Sequence, residues 1–214
     1  RLICLENTHN RCDGSALTPE YTRSVAELAR ERGLRVHLDG ARIFNAAVAL
    51  GLDVTALTRD VDSVSFCLSK GLSAPIGSLI CGSSEFIAEA RRNRKVLGGG
   101  MRQCGIIAAA GVVALEQMVD RLAEDHENAR RLAERIARIP GLSIDLERIQ
   151  TNIIYFGLPG GPLNAGTLVT RLAERGIKIL QVAPARMRAV THYGITAEDI
   201  ELTLAALTQI MNES

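Results

Sequence analysis

Two ionisable residues, Asp39 and Lys70, each stand directly after an apolar segment and directly before a glycine. The apolar segments, residues 34–38 and 61–68, have the length and composition of strands. Reactive groups in α/β proteins gather where strands end and loops begin. If the two strands are neighbours, a carboxylate and an amine face one cleft. Alternatively, Asp39 caps the following helix and Lys70 is a solvated loop amine, since charged residues at loop starts are usually just exposed.

Histidine and cysteine give weaker signals. His9 lies in a Glu-Asn-Thr-His-Asn segment after a strand and is a further candidate for the site, or a turn residue with local hydrogen bonds. Cys4, His9 and Cys12 lack a fourth ligand at a matching spacing, so we expect no metal site. The other histidines are expected to be structural. We expect His37 and His192 to lie within strands with their hydrogen bonds satisfied, and His126 to be solvated on a charged helix.

The elements that position Asp39 and Lys70 follow in β-α-β order. An apolar strand at 1–5 precedes a helix that begins at Thr18-Pro19 and stops at Gly33. A strand at 34–38, a helix at 41–50, a strand at 61–68 and a short strand within 75–82 come next. Such alternation predicts an α/β sheet covered by helices.

The rest of the chain predicts more helix and then a second domain. A basic helix at 85–95 is broken by three glycines, and residues 101–138 form one long helix or two end to end. Their alanine-rich half is expected to be buried and their charged half solvated. Pro140-Gly141 predicts a boundary between domains 1–139 and 140–214. The second is a small α+β domain with strands at 142–146, 152–156, around 178–180 and at 187–191, and helices at 163–175 and from a capping box at 196–199.

The composition argues against several classes of protein. Of the 214 residues, 47% are hydrophobic and 23% charged, and the formal charge is only +1. This composition is ordinary for a globular protein. The chain lacks the excess of positive charge that binding to nucleic acid or anionic lipid requires. The longest apolar stretch, 105–115, is too short to cross a bilayer, and no leader pattern opens the chain. The five cysteines lie in apolar surroundings, which predicts buried, reduced thiols and a cytoplasmic location.

Five separated motifs, in order along nearly the whole chain, resemble those of the low-specificity L-threonine aldolases. They are Glu-Asn-Thr-His-Asn at 6–10, Asp-Gly-Ala-Arg at 39–42, Ser-Lys-Gly at 69–71, Gly-Gly-Gly-Met-Arg-Gln at 98–103 and Arg-Ala-Val-Thr-His at 188–192. Members of this family use pyridoxal phosphate (PLP). The resemblance implies a three-layer α/β large domain of fold type I, present in part, and a small α+β C-terminal domain.

The resemblance also implies roles for individual residues. Lys70 matches the lysine that binds PLP covalently, and Asp39 matches the carboxylate that keeps the pyridine nitrogen protonated. Arg42 matches an arginine near the 3-oxygen of the cofactor. Arg188 matches the arginine that receives the substrate carboxylate in a bidentate fork. Arg102 matches a residue that reaches the cofactor phosphate from a neighbouring subunit, although a surface arginine beside a flexible hinge is an alternative.

Members of the family extend further at the N-terminus than this chain. The resemblance implies that the extra segment holds the turn that binds the PLP phosphate, the ring that stacks on the cofactor and a histidine that acts on the substrate hydroxyl. We therefore expect this chain to be a fragment of a longer polypeptide, with a shortened relative as the alternative. Such a fragment exposes sheet edge and helix surfaces that are otherwise covered.

The activity that the resemblance implies is the retro-aldol cleavage of threonine or allo-threonine to glycine and acetaldehyde. A β-eliminating lyase or a racemase would use the same lysine and aspartate on a different bond, and a non-catalytic assembly module would take up no cofactor. We expect a homodimer or homotetramer, with no nucleic acid or membrane partner. Residues 98–102 are expected to meet a partner's cofactor site, and the apolar helix 106–115 to need a covering surface.

Overall fold

The structure, a computed structural model, describes residues 1–213 and contains two compact units. The first consists of Arg1–Thr8 and Ala16–Leu122, and the second of His9–Ser15 and the residues from Ala123 onward. The loop at residues 9–15 therefore belongs to the second unit, although both segments that flank it belong to the first. The predicted domain limits at 139 and 140 fall inside the second unit and stay a prediction.

A four-stranded sheet forms the centre of the first unit. Its strands are β1 (Leu2–Glu6), β2 (Arg35–Asp39), β3 (Ser63–Cys67) and β4 (Ser78–Gly82), in the order β1-β2-β3-β4. β1, β2 and β3 are parallel, and β4 pairs antiparallel with β3. The predicted strands are confirmed, with ends that shift by three residues or fewer.

Three helices follow the first strands. α1 (Pro19–Glu31) begins where predicted, because the Thr18 hydroxyl accepts a hydrogen bond from the Tyr21 N–H. α2 (Ile43–Leu50) was also predicted and ends at a left-handed glycine. α3 (Val54–Thr58) was not predicted, since its one turn has no apolar period and begins with the Asp53 carboxylate accepting from the Thr55 N–H.

One face of the β2 strand packs on these helices. Val36 contacts the buried alanines of α1, and Leu38 packs with Ile43 and Leu57 of α2 and α3. Because side chains alternate along a strand, His37 and Asp39 lie on the opposite face of the sheet.

The next helices correct a prediction about burial. α4 (Ser84–Val96) and α5 (Gly105–Gln117) lie in the first unit, and α6 (Leu122–Ile136) belongs to the second unit from Ala123 onward. On the alanine-rich α5 only Gly111 and Ala114 are buried, whereas the charged α6 buries five apolar residues: Leu122, Ala129, Leu132, Ala133 and Ile136. The prediction of a buried first half and a solvated second half was wrong. In α6 the apolar residues recur at a helical period and lie on one side, which packs in the core. In α5 apolar residues lie on all sides, so the sequence does not show which side is buried.

The second unit is a three-stranded antiparallel sheet covered by helices. β5 (Ile153–Gly157), β6 (Leu180–Ala183) and β7 (Arg186–Val190) have the order β5-β7-β6. α7 (Ala165–Ala173) and α8 (Ala197–Asn212) pack with α6 on one face of this sheet, and the predicted capping box at Thr196 is present.

The strand predicted at 142–146 was wrong. Ser143 makes only an isolated bridge with Gly157, and a 3₁₀ helix (Leu146–Arg148) follows. The Asp145 carboxylate accepts from the Glu147 N–H, which starts the turn in place of a strand.

Candidate active site

The structure brings the loops that carry Asp39 and Lys70 to one edge of the first sheet. Asp39 is the last residue of β2 and pairs in register with Ser65 of β3. Lys70 follows the end of β3 in the next loop. Because the carboxyl ends of parallel strands meet at one sheet edge, the two residues share the edge where α/β proteins bind ligands.

Asp39 is exposed on a closely packed turn. Its Oδ1 accepts a hydrogen bond of 3.0 Å from the Ala41 N–H. Between these two residues, the Gly40 N–H donates to the Ser65 carbonyl at 2.7 Å. A Cβ at residue 40 would lie 2.9 Å from that carbonyl. The carboxylate therefore orients the turn before α2, and glycine is required behind it.

Lys70 is an exposed side chain on a loop that is anchored by buried residues. Leu68, Leu72 and Ala74 beside it are buried, and the Ala74 N–H donates to the Leu68 carbonyl at 3.0 Å. A Cβ on Gly71 would lie 2.7 Å from Leu122 Cδ2 and 3.0 Å from Asn45 Oδ1. The backbone on both sides of the amine is therefore fixed. Within residues 1–213 the amine has no ion pair.

The residues around Asp39 include one arginine and one histidine. Arg42 is half-buried and occupies the N-cap position of α2, one turn beyond Asp39. His37 lies on the same sheet face as Asp39 and bonds to the hydroxyls of Ser63 at 2.8 Å and Ser65 at 3.4 Å. The prediction that His37 is a satisfied sheet histidine is confirmed.

Arg102 lies apart from the strand edge in sequence, in the loop between α4 and α5. It is exposed, and Gly98 earlier in that loop has a φ of +81°. Both interpretations of Arg102, as a phosphate ligand for a neighbouring subunit and as a surface arginine, stay predictions.

Arg188 belongs to the second unit. It lies on β7 directly opposite Tyr155 of β5 and Leu180 of β6, and its Nε is buried without a hydrogen bond among the described residues. A cavity of about 520 Å³ is lined by Asn10, Arg11, Tyr155, Val182, Ala183, Arg186 and Arg188. A guanidinium with an unused buried donor at a cavity suits an anionic group. The role of Arg188 as the arginine that receives the substrate carboxylate stays a prediction.

His9 also lies in the second unit, and its hydrogen bonds are local. Its Nδ1 accepts from the Arg11 N–H at 3.2 Å, and its backbone forms a bridge with Ser15. These bonds fit the alternative that His9 is a turn residue.

Two histidine predictions were wrong. His192 is exposed beyond the end of β7, where its Nδ1 lies 2.8 Å from the Tyr193 carbonyl. His126 is half-buried on α6, and burial lowers its pKa to about 4. The predicted burial of the cysteines was also wrong, because Cys67 is half-buried and the other four free cysteines are exposed.

An ionic cluster around the buried Asp13, in the second unit, was not predicted from the sequence. Asp13 is 2% exposed, and its carboxylate accepts from Arg148 at 3.0 Å and from Arg186 at 2.5 Å. The Arg186 guanidinium carbon lies 4.4 Å from the centre of the Tyr155 ring, a cation–π arrangement. The Asp-Gly pair at 13–14 signals a turn, but nothing local in the sequence indicates two arginine partners.

Residues 1–213 lack both a metal-binding cluster and a membrane-spanning helix. That part of the chain contains no group of three or more histidine, cysteine, aspartate or glutamate side chains arranged to bind a metal ion. None of its helices has both the length and the apolar character needed to cross a membrane.

Comparison with known proteins points to one family. Residues 1–158 match the beta-eliminating lyase family. Low-specificity L-threonine aldolase 1 of Arabidopsis thaliana is 45% identical over 99% of this chain and 59% of its own length. The low specificity L-threonine aldolase of Escherichia coli K12 is 43% identical over 94% of this chain and 57% of its own. The chain thus spans about 60% of the length of these relatives.

Solved structures show the fold. The threonine aldolase of Leishmania major superposes with a TM-score of 0.80 at 19% identity, over 99% of this chain and 61% of that one. The serine palmitoyltransferase of Sphingomonas wittichii superposes with a TM-score of 0.77 at 18% identity, over 99% and 55%. These similarities confirm the predicted fold type I architecture. With the sequence match over residues 1–158, they show that the chain belongs to the beta-eliminating lyase family.

Proposed function

We propose that the protein is a PLP-dependent carbon–carbon lyase that cleaves threonine or allo-threonine to glycine and acetaldehyde. One observation carries the proposal. Asp39 ends β2 and Lys70 lies in the loop after β3, the neighbouring parallel strand, so that both are at one sheet edge, each before a glycine that has no room for a side chain. The relatives at 43–46% identity that are named low-specificity L-threonine aldolases support the choice of reaction.

The residues at this edge fit PLP. Lys70 supplies an exposed amine that can bind the cofactor covalently, and Asp39 supplies an exposed carboxylate for the pyridine nitrogen. Arg42 is the candidate for the 3-oxygen, and Arg102 for the phosphate in a neighbouring subunit. When bound, PLP supplies an electron sink for the electrons of the broken Cα–Cβ bond.

Each side chain then has a defined task. Asp39 would hold a proton on the ring nitrogen of bound PLP, and the Ala41 N–H donates to its carboxylate and orients it. Lys70 would hold the cofactor covalently through Nζ, and its amine, once released, would accept and return a proton. Arg188 orients the substrate through its carboxylate, a bidentate contact that lysine would make poorly.

We also propose that the protein is a homodimer or homotetramer. An exposed apolar surface supports this: Val96, Leu97, Met101 and Ile106 are 75%, 85%, 62% and 86% exposed. Large apolar patches of this kind mark interaction surfaces. The five unpaired cysteines support a cytoplasmic location, and the reaction would serve threonine breakdown and glycine formation.

The proposal is tested by following acetaldehyde, coupled to alcohol dehydrogenase and NADH, from L-threonine and L-allo-threonine with PLP present. We expect Lys70→Ala to reduce the rate by a factor on the order of 100 or more. The matched control, Lys178→Ala, changes an exposed lysine of the second unit and should leave the rate unchanged.

The name of the matched family favours β-elimination as the second candidate reaction. Release of pyruvate and ammonia from L-serine, without acetaldehyde from either threonine isomer, would assign the protein to that reaction. Absence of any PLP-dependent turnover would support a non-catalytic module instead.

A further inference from the structure

The loop His9–Ser15, here called the strap, makes several hydrogen bonds with the rest of the second unit. The Tyr155 hydroxyl donates to the Asn10 carbonyl at 2.9 Å, and the Thr151 hydroxyl donates to the Gly14 carbonyl at 2.8 Å. A Cβ on Gly14 would lie 2.7 Å from the Thr151 hydroxyl. The strap is therefore closely packed on β5 and the residues before it.

Asp13 makes the strongest of these attachments. Both of its oxygens are used, Oδ1 by Arg186 and Oδ2 by Arg148, and its side chain is 3% exposed. A buried carboxylate is stable only when it is paired in this way, and charge-assisted bonds are about twice as strong as neutral ones. Asp13 thus joins the strap to β7 and to the 3₁₀ helix.

Arg186 and Arg188 lie on the same face of β7, since Met187 and Ala189 between and beyond them are buried in the core. Both arginines line the 520 Å³ cavity, together with Asn10 and Arg11 of the strap. Arg186 is engaged by Asp13 and lies over the Tyr155 ring, whereas the buried Nε of Arg188 has no bond among the described residues.

We infer that Asp13 is a positioning residue for the Arg188 site. Asp13 holds Arg186 and the strap in place and so fixes two walls of the cavity. Because Arg186 is paired with Asp13, Arg188 is the arginine that binds a carboxylate in this cavity. This inference rests on the proposed function, in which Arg188 binds the carboxylate of an amino acid.

The test compares Asp13→Asn with Asp145→Asn in the PLP-loaded protein. Asp145 also pairs with Arg148, at 3.3 Å, but its side chain is 59% exposed, and among the described residues it makes no hydrogen bond or ion pair with Arg186 or the strap. For Asp13→Asn we expect KM for threonine to rise about tenfold with kcat within about threefold of wild type, as for one lost charge-assisted hydrogen bond. Tryptic cleavage after the exposed Arg11 should accelerate, and Asp145→Asn should change neither quantity.

A second comparison separates positioning from a general loss of folding. Arg186→Gln breaks the same bond from the other side, so the double variant with Asp13→Asn should have a KM no higher than the larger single effect. A parallel fall in kcat and in the folded fraction, with KM unchanged, would show a merely structural role. An unchanged KM despite a released strap, or an unchanged cleavage rate after Arg11, would also overturn the inference.

Glycine binding by calorimetry distinguishes failure of the inference from failure of the proposed function. If wild type binds glycine but does not cleave threonine, the proposed reaction fails, and a tenfold weaker affinity in Asp13→Asn still supports positioning. Equal glycine affinity in Asp13→Asn, Asp145→Asn and wild type would overturn the inference.

Discussion

Glycine follows both Asp39 and Lys70, and neither glycine has room for a side chain. The groups that exclude a Cβ are the Ser65 carbonyl at Gly40, and the buried side chains of Leu122 and Asn45 at Gly71. Close packing behind an exposed ionisable group limits the positions that the group can take. Rigid support of this kind is what a catalytic amine or carboxylate needs, since small displacements reduce catalysis strongly.

Gly71→Ala tests this support at the residue scale. The new Cβ would contact Leu122, which is fully buried, so we expect a loss of about 1–3 kcal/mol in the free energy of unfolding. Chemical denaturation measures the loss. Gly105→Ala is the control, because a Cβ there meets no atom within 4 Å. Equal stability of the two variants would contradict the packing described for the Lys70 loop.

Asp39 and Lys70 could be predicted because the pattern that marks each of them is local: an apolar strand, a charged residue and a glycine in succession. Asp13 was missed because its signal is not local. The arginine partners of Asp13 lie 135 and 173 residues further along the chain, and no spacing rule connects residues so far apart. Only the pairing of β5 with β7 and the packing of the strap bring them together.

At the scale of elements, the two helices that begin with a threonine cap, α1 and α8, were predicted best. Thr18 and Thr196 each accept a hydrogen bond from a first-turn N–H, and both helices start where the sequence indicates. The contrast between α5 and α6 could not be predicted from composition. Burial depends on which side of a helix is covered, and that is decided by tertiary packing.

The burial of α6 has a consequence for stability against acid. Burial holds the pKa of His126 at about 4, below its ordinary value of 6.5. In the unfolded chain the His126 imidazole binds a proton below about pH 6.5, whereas in the folded chain it does so only below about pH 4. Stability falls as the pH falls through this window, by roughly 2 kcal/mol between pH 7 and pH 5.

Urea denaturation at pH 7 and pH 5 measures this loss. We expect His126→Gln to reduce the difference between the two pH values by about 2 kcal/mol. His192→Gln, which changes an exposed histidine, should leave the difference as in wild type. A wild-type pH dependence in His126→Gln would contradict the burial of this side chain.

At the scale of the whole molecule, the surface from the end of α4 through α5 exposes several large apolar side chains. Ile106 is 86% exposed and Val113 is 48% exposed on a helix with few charges. If this surface joins subunits, Ile106→Glu should weaken association, because it introduces a charge into an apolar interface.

Light scattering after size exclusion measures that effect. We expect the subunit dissociation constant to rise at least about tenfold, as for a buried charge without a partner. The control Leu202→Glu changes a residue of α8 that is 65% exposed and lies outside this surface. Unchanged association in Ile106→Glu would assign the interface to another part of the molecule.

The account as a whole depends on Lys70 as the residue that binds the cofactor. The most direct measurement adds equimolar PLP, reduces with borohydride and locates the pyridoxyl group by mass spectrometry. The chain offers internal controls, since Lys95 and Lys178 are its only other lysines. We expect visible absorbance that borohydride removes and a pyridoxyl group on Lys70 alone. A label spread over Lys95 and Lys178, with Lys70 unmodified, would contradict the account.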